Sequence, residues 1–205
     1  MLIYKGKRYT INTDGINATK SDGITTKTMA YYPERDASAI AGEIDELTAW
    51  RLLRDISGQA TIINTPISPE HILIDGEKFH LSEWSTGYDP RFTSHEGYSA
   101  VWALGASIFY IFLGCHVFQG LGGKGQTAST PIPTLRGELP ELSKLIAESL
   151  DYDPDKRPTL YKIRDIADLN ISKCESNNKF LPLKQIEAKT ITQDELDIFW
   201  PDEIY

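Results

Sequence analysis

The sequence predicts an α+β fold that is mostly helical after residue 36. Three observations support this: strand-like runs alternate with turns up to Pro33, apolar residues then recur at helical spacing, and one hairpin-like stretch interrupts the helical region. With 205 residues, the chain can form one domain with a sizeable core, or one domain and a small appendage.

The first 33 residues are expected to form short antiparallel strands. LIY and RYTI flank Lys5-Gly6-Lys7, and INATK and ITTKTMAYY flank Ser21-Asp22-Gly23, so both connections have hairpin-like composition. A helix is then expected after Asp36, a residue suited to an N-cap, and Ser57-Gly58 is expected to end it. Its apolar face would contain Ile40, Ile44, Leu47 and Leu53.

Residues 64–84, NTPISPEHILIDGEKFHLSEW, predict a β-hairpin closed by an Asp-Gly turn. The apolar runs are residues 72–74 and 79–81, and the turn is Asp75-Gly76-Glu77-Lys78. Polar residues flank the hairpin on both sides, which is a common place for catalytic groups. The candidate site residues at these positions are Pro66, Ser68 and His71 before the hairpin, and Glu83 and Trp84 after it.

Three further helices are expected in the second half of the chain. AVWALGASIFYIFLG, residues 100–114, is apolar nearly all round and predicts a helix buried at the centre of the domain. Residues 119–137 are rich in Gly, Pro, Ser and Thr and predict a long loop. Pro140 starts another helix and Thr159 caps a last one, whose pattern weakens from about Asn170.

Composition and charge exclude several classes of function. A formal charge of −8, from 21 basic and 29 acidic residues, disfavours a nucleic-acid partner, since the basic residues are also scattered. The amino-terminal apolar patch is too short for a signal peptide, and residues 100–114 are too few to span a bilayer. Two cysteines, Cys115 and Cys174, indicate a reducing compartment without a disulfide framework. We therefore expect a soluble cytoplasmic protein.

Residues 36–168 resemble the C-terminal lobe of eukaryotic-like protein kinases. SPEHILID is similar to K-P-E-N-I-L-I-D and HLSEW to K-L-S-D-F. AVWALGASIFYIFLG is similar to the central helix motif D-V-W-S-L-G, which places Trp102 in a structural role, and PELSKLIAESLDYDPDKRPT to the run that ends in D-P-x-x-R-P-T. The resemblance implies remnant N-lobe strands over residues 1–35, a kinase-like C-lobe over 36–169 and a C-terminal tail over 170–205.

The same resemblance implies that the catalytic groups are missing. Phosphoryl transfer needs a base, a lysine on the phosphates, and oxygen ligands for Mg²⁺. The positions of the base, the lysine and the Mg²⁺-binding asparagine are occupied by Pro66, Ser68 and His71. D-F-G becomes Glu83-Trp84-Ser85, and the aspartate that braces the catalytic loop becomes Ala100. The residues before the first helix also contain no G-x-G-x-x-G motif followed by a strand lysine with a helical glutamate partner.

The expected function is therefore that of a catalytically inactive, pseudokinase-like protein without a cofactor. It would bind, scaffold or regulate another protein, and not a nucleic acid or a membrane; the sequence leaves the oligomeric state open. One alternative is an atypical nucleotide-binding protein or phosphotransferase that uses Glu83 and His71, which are also the candidate metal ligands. A third is an assembly component that uses the tail as its connector.

Three further groups of residues carry structural or binding hypotheses. Glu96 is expected to form the buried ion pair with Arg157 that the resemblance implies. GLGGKGQT, residues 120–127, lacks the G-x-x-x-x-G-K-S/T spacing and the preceding strand of a Walker phosphate loop, and is interpreted as a flexible surface loop. The tail is too apolar to stay solvated, so it docks on the body of the protein or on a partner. Its large apolar residues include Phe199, Trp200 and Tyr205.

Overall fold

The computed structural model describes residues 36–62, 66–82, 88–135 and 139–177, together with four strands within the first 30 residues. Over these residues the chain is α+β and mostly helical, as the sequence predicts. Among these residues, none of the helices is both long and apolar enough to cross a membrane. Glu83, Trp84 and the tail residues Phe199, Trp200 and Tyr205 lie outside the described residues.

The four amino-terminal strands form an antiparallel sheet in the order of the sequence. They are β1 (Leu2–Tyr4), β2 (Lys7–Ile11), β3 (Asn17–Ser21) and β4 (Thr26–Ala30). Each strand pairs with its neighbour along the chain, so both hairpins expected from the sequence are present.

The first α-helix starts later than the sequence predicts. Asp36 caps only a short 3₁₀ turn, Ala37–Ile40, while α1 covers Glu46–Ala60 and is capped by Asp45. The Asp45 carboxylate accepts a hydrogen bond from the Thr48 amide at 2.8 Å. The predicted start was wrong because Gly42, with a φ of +83°, interrupts the helical spacing between residues 40 and 44.

The end of α1 also differs from the prediction, because Ser57 and Gly58 lie inside the helix. Ser57 is buried, and its hydroxyl donates to the Arg54 carbonyl at 3.1 Å. A serine that bonds back to the preceding turn is compatible with a helix interior. The helix therefore continues to Ala60.

The central hairpin is confirmed. β5 (Ile72–Asp75) pairs with β6 (Lys78–Leu81), with Ile72 opposite Leu81 and Asp75 opposite Lys78. The two-residue loop is Gly76-Glu77, and Gly76 has a φ of +57°, a value that glycine adopts at little cost.

Helix α1 packs along the outer edge of β6 and satisfies its backbone. The Gln59 amide donates to the Phe79 carbonyl and accepts from the Leu81 amide, both at 2.8 Å. The Asp55 carboxylate accepts from the Phe79 amide at 3.0 Å. These side chains take the place of a third strand, which protects the edge of the hairpin.

The three later helices are α2 (Ala100–Leu113), α3 (Pro140–Ser149) and α4 (Leu160–Asn177). Every residue of α2 from 102 to 109 is buried, which confirms the predicted central helix. Gly105 allows α3 to approach closely, since a Cβ atom there would lie 2.8 Å from the Cβ of Ser149. The four α-helices and the central hairpin contribute to one hydrophobic core.

The last helix extends beyond residue 170, where the sequence pattern weakens. Thr159 caps it as predicted, because its hydroxyl accepts from the Lys162 amide at 3.2 Å. Asn170 and Ile171 are each only 6% exposed, and the Asn170 side chain donates to the Ile166 carbonyl. Packing against α1 thus stabilises a segment whose own helical pattern is weak.

Candidate functional site

The loop that precedes β5 brings three predicted site residues together. Pro66, Ser68 and His71 lie within one buried segment that ends in the 3₁₀ turn Pro69–His71. The Ser68 hydroxyl lies 3.0 Å from Nδ1 of His71, and the two residues are 3% and 6% exposed. The two polar groups therefore bond to each other, while Pro66 has no side-chain atom that could accept a proton.

The segment that follows β6 returns to the loop before β5. The Ser82 amide donates to the His71 carbonyl at 2.7 Å, so the end of β6 lies beside the 3₁₀ turn. Glu83 follows in the sequence but lies outside the described residues. Within the described part of the chain, no group of three or more His, Cys, Asp or Glu side chains could hold a metal ion.

Tyr98 braces the loop from the segment before α2. Its hydroxyl accepts a hydrogen bond from the Ile67 amide at 2.9 Å, and its ring lies 4.7 Å from that of Tyr88. Burial raises the pKa of Tyr98, against the effect of the hydrogen bond from Ile67. This hydrogen bond joins the loop before β5 to the segment before α2.

The structure places Glu96 against Arg157. Nη1 of Arg157 contacts one carboxylate oxygen of Glu96, and Nη2 lies 3.2 Å from the other. The Arg157 side chain is only 3% exposed, and it also donates to the carbonyls of Asp151 and Tyr152 at 2.8 Å and 3.2 Å. This bidentate arrangement fixes the segment before α2 to the segment before α4.

The electrostatics of Glu96 reflect this pairing. Burial raises its pKa, but the hydrogen bonds from Arg157, the Glu96 backbone and Ser94, together with the charge of Arg157, outweigh burial, so that the pKa lies below the ordinary value of a glutamate. Nδ1 of His95 lies 2.9 Å from the same carboxylate, and the His95 ring stacks on Tyr152 at 3.8 Å. The cluster joins the segment before α2 to the segment before α4. Its described residues do not form a nucleophile–base pair.

The glycine-rich stretch 120–127 is not the flexible surface loop that the sequence suggested. Gly122 and Gly123 are buried, and the Gly123 amide donates to the Thr93 carbonyl at 2.8 Å. A Cβ atom on Gly122 would lie 2.2 Å from the Pro90 carbonyl oxygen, and one on Gly123 would lie 2.1 Å from the His95 amide nitrogen. The glycines are needed because two backbone segments touch here.

A second ion pair near this loop was not predicted from the sequence. The Arg91 guanidinium contacts both carboxylate oxygens of Asp89, with the shortest distance at 2.6 Å, and its Nη1 lies 3.2 Å from Nε2 of His116. Burial lowers the pKa of His116, and the charge of Arg91 acts in the same direction. The Asp-Pro pair at residues 89 and 90 signals a capped turn, but nothing local indicates contact with His116.

Trp102 is part of the hydrophobic core. It is fully buried in α2, and its indole N–H donates to the Gln126 side chain at 3.2 Å. The Gln126 amide in turn donates to the Leu150 carbonyl at 2.6 Å. A buried polar chain therefore links α2 to the end of α3.

The fold and site define an α+β protein, mostly helical, in which a braced loop and hairpin lie beside a buried central helix. No family model matches the sequence, and a comparison with curated proteins also finds no match.

Proposed function

We propose that this protein is a catalytically inactive, kinase-like module that binds, and thereby scaffolds or regulates, another protein. The observation that carries the proposal is the loop containing Pro66, Ser68 and His71. Under the kinase-like interpretation these positions should supply a base, a phosphate-binding lysine and a magnesium ligand. They supply instead a buried pyrrolidine ring and a Ser–His pair whose hydrogen bond joins the two side chains.

Phosphoryl transfer depends almost entirely on positioning and on neutralising the charge of the phosphates. A serine cannot neutralise charge, and a proline cannot orient a hydroxyl group. The same loop is nevertheless held firmly, by Tyr98 at Ile67 and by Ser82 at His71. A buried, firmly held loop without charge-neutralising groups suits a structural role better than a reaction on ATP.

The remaining features agree with a protein partner. The net charge of −8 disfavours nucleic acid and anionic membrane surfaces. Cys115 and Cys174 are both free thiols, which suits the reducing cytoplasm in which we propose that the protein acts. No cofactor is part of the proposal.

Thermal unfolding with and without ATP and Mg²⁺ tests the loss of nucleotide binding. A ligand at about 100 times its Kd adds about 2.7 kcal/mol, which at this chain length raises Tm by roughly 5–11 °C. We expect no such shift. A Mg²⁺-dependent shift that disappears in Glu83→Ala but persists in Glu43→Ala, a change at an exposed glutamate, would contradict the proposal. It would support the atypical nucleotide-binding alternative.

Deletion of residues 190–205 separates the proposal from the third alternative. A chain-assembly role through the tail predicts that deletion abolishes co-purification of the partner while the body stays folded. The kinase-like module predicts that the body retains the partner, and that disrupting the braced loop by Tyr98→Ala weakens the association. Circular dichroism provides the control for folding in both variants.

A further inference from the structure

An arginine and a histidine from separate segments meet at the carboxyl end of α2. Arg91 belongs to the 3₁₀ turn Pro90–Phe92, and His116 follows the end of α2. Nη1 of Arg91 lies 3.2 Å from Nε2 of His116. The His116 ring stacks on the ring of Tyr110 at 4.4 Å, and the Phe92 ring packs edge-on at 5.5 Å. The two aromatic rings therefore hold the imidazole with Nε2 toward the guanidinium.

The chemistry of arginine determines which protonation state of His116 this contact needs. A guanidinium has only hydrogen-bond donors and stays charged in proteins. Nε2 must therefore accept through its lone pair, which places the proton of the neutral ring on Nδ1. Nδ1 is buried and has no hydrogen-bond partner among the described residues. A second proton would bind to Nε2, where the new N–H would point at an N–H of Arg91.

Charged groups near the imidazole act in opposite directions. Burial lowers the pKa of His116 and the charge of Arg91 lowers it further, whereas the Asp89 carboxylate raises it; the net shift is downward. That carboxylate is already engaged, because it accepts from Nε of Arg91 at 3.1 Å and from Nη2 at 2.6 Å. Glu70 acts on the guanidinium and stabilises its charge. After protonation of His116, the Asp89 carboxylate would face two cations.

The contact holds only the first part of the segment before α2. The later contacts of this segment, at Thr93 and Glu96, do not involve His116. The Arg91 side chain is 44% exposed, so water can solvate its guanidinium when it leaves the ring. Phe92 is only 4% exposed and packs on the same imidazole. Loss of the contact would therefore free Arg91 and weaken the packing of the turn that carries it.

We propose that Arg91 and His116 form an acid-sensitive contact that docks the turn Pro90–Phe92 on the end of α2. Neutral His116 accepts from Arg91 and keeps the turn docked. Protonation of Nε2 by solvent replaces an acceptor with a donor and a positive charge, so the guanidinium leaves the ring and the turn loosens. The rest of the segment stays in place, and loss of the proton restores the contact. This inference goes beyond the proposed function and does not depend on it.

The direction of the pH effect follows from the linkage between protonation and folding. The pKa of His116 in the folded chain lies below its ordinary value of 6.5, so the unfolded chain binds the proton first. Stability is therefore complete above about 6.5 and falls as the pH decreases through the folded pKa. The pairing of Glu96 is lost only below its own ordinary value of 4.5, so the two effects lie in different pH ranges.

Two parallel pH titrations of the full chain test the proposal. NMR follows the His116 ring, whose signal is identified by its absence in His116→Gln. Hydrogen exchange, corrected for its intrinsic pH dependence, follows the amides of residues 91–93, which bond within the turn. Between about pH 7.5 and 4.5 we expect their protection to fall roughly 3- to 10-fold, the equivalent of one net hydrogen bond. This fall should follow the His116 curve, while residues 100–113 stay protected.

Three variants make the test specific. His116→Gln keeps an oxygen that can accept from Arg91 but cannot be protonated, so residues 91–93 should lose their pH response. Arg91→Gln removes the neighbouring charge and should move the His116 titration toward 6.5. His80→Gln removes an imidazole of the central hairpin and, as the matched control, should keep the wild-type response.

Three results would overturn the proposal. The first is unchanged protection of residues 91–93 while the His116 ring takes up its proton. The second is a pH response of the same size in His116→Gln. The third is an imidazole that stays neutral throughout the titration.

Discussion

Replacing Gln59 by leucine tests how the hairpin of the site is stabilised. The change keeps a similar volume but removes the group that donates to the Phe79 carbonyl and accepts from the Leu81 amide. Phe79 and Leu81 are 2% and 4% exposed, so their backbone groups have limited access to water. Each buried group left without a partner costs about 1–3 kcal/mol, and we expect a total loss of about 2–4 kcal/mol.

That loss corresponds to a decrease in Tm of roughly 4–16 °C for a chain of this length. Urea unfolding followed by circular dichroism measures it, and hydrogen exchange locates it on residues 72–81. Asp55→Asn is the matched control, because an asparagine oxygen can still accept from the Phe79 amide. If Gln59→Leu unfolds at the wild-type midpoint and the Leu81 amide stays protected, the argument that α1 closes the edge of β6 is refuted.

Three further predictions concern the braces of the loop and of the segment before α2. Tyr98→Phe leaves the Ile67 amide without its acceptor and should lower stability by about 1–3 kcal/mol, measured by urea unfolding. Because Arg157 holds the pKa of Glu96 below its ordinary value of 4.5, the wild type should lose stability as the pH falls below about 4.5. In the variant Glu96→Gln, this loss of stability at low pH should be absent. If the free energy of unfolding falls equally with pH in both proteins, the pairing of Glu96 with Arg157 is contradicted. Gly123→Ala should lower Tm more than any other change proposed here, since its Cβ would overlap backbone atoms; an unchanged Tm would disprove the close approach.

Much of the local structure could be predicted because it depends on short-range patterns. The Asp-Gly turn between two apolar runs indicates the hairpin, and the continuous apolar run 100–114 indicates a buried helix. The spacing of Ser68 and His71 places them within one turn. The start of α1 could not be predicted, because Asp36 and Asp45 both have the chemistry of an N-cap and only the observed backbone distinguishes them.

Contacts between distant segments were harder to predict. Glu96 and Arg157 lie 61 positions apart, and only the resemblance to kinases suggested their pairing. The contact from Tyr98 to the Ile67 amide has no local signal at all, because a tyrosine in a polar stretch is compatible with many roles. That contact became apparent only from the three-dimensional distances.

The segment between the hairpin and α2 is held against the rest of the described chain by several contacts. In the kinase-like interpretation it corresponds to the activation segment, whose rearrangement controls catalysis. Here the described part is fixed at four points: Arg91 bonds to His116, the Thr93 carbonyl accepts from Gly123, Glu96 pairs with the buried Arg157, and the Tyr98 hydroxyl accepts from Ile67. Moving it would require breaking an ion pair and separating backbones that glycine alone allows to touch. A segment held in this way is expected to keep a single conformation.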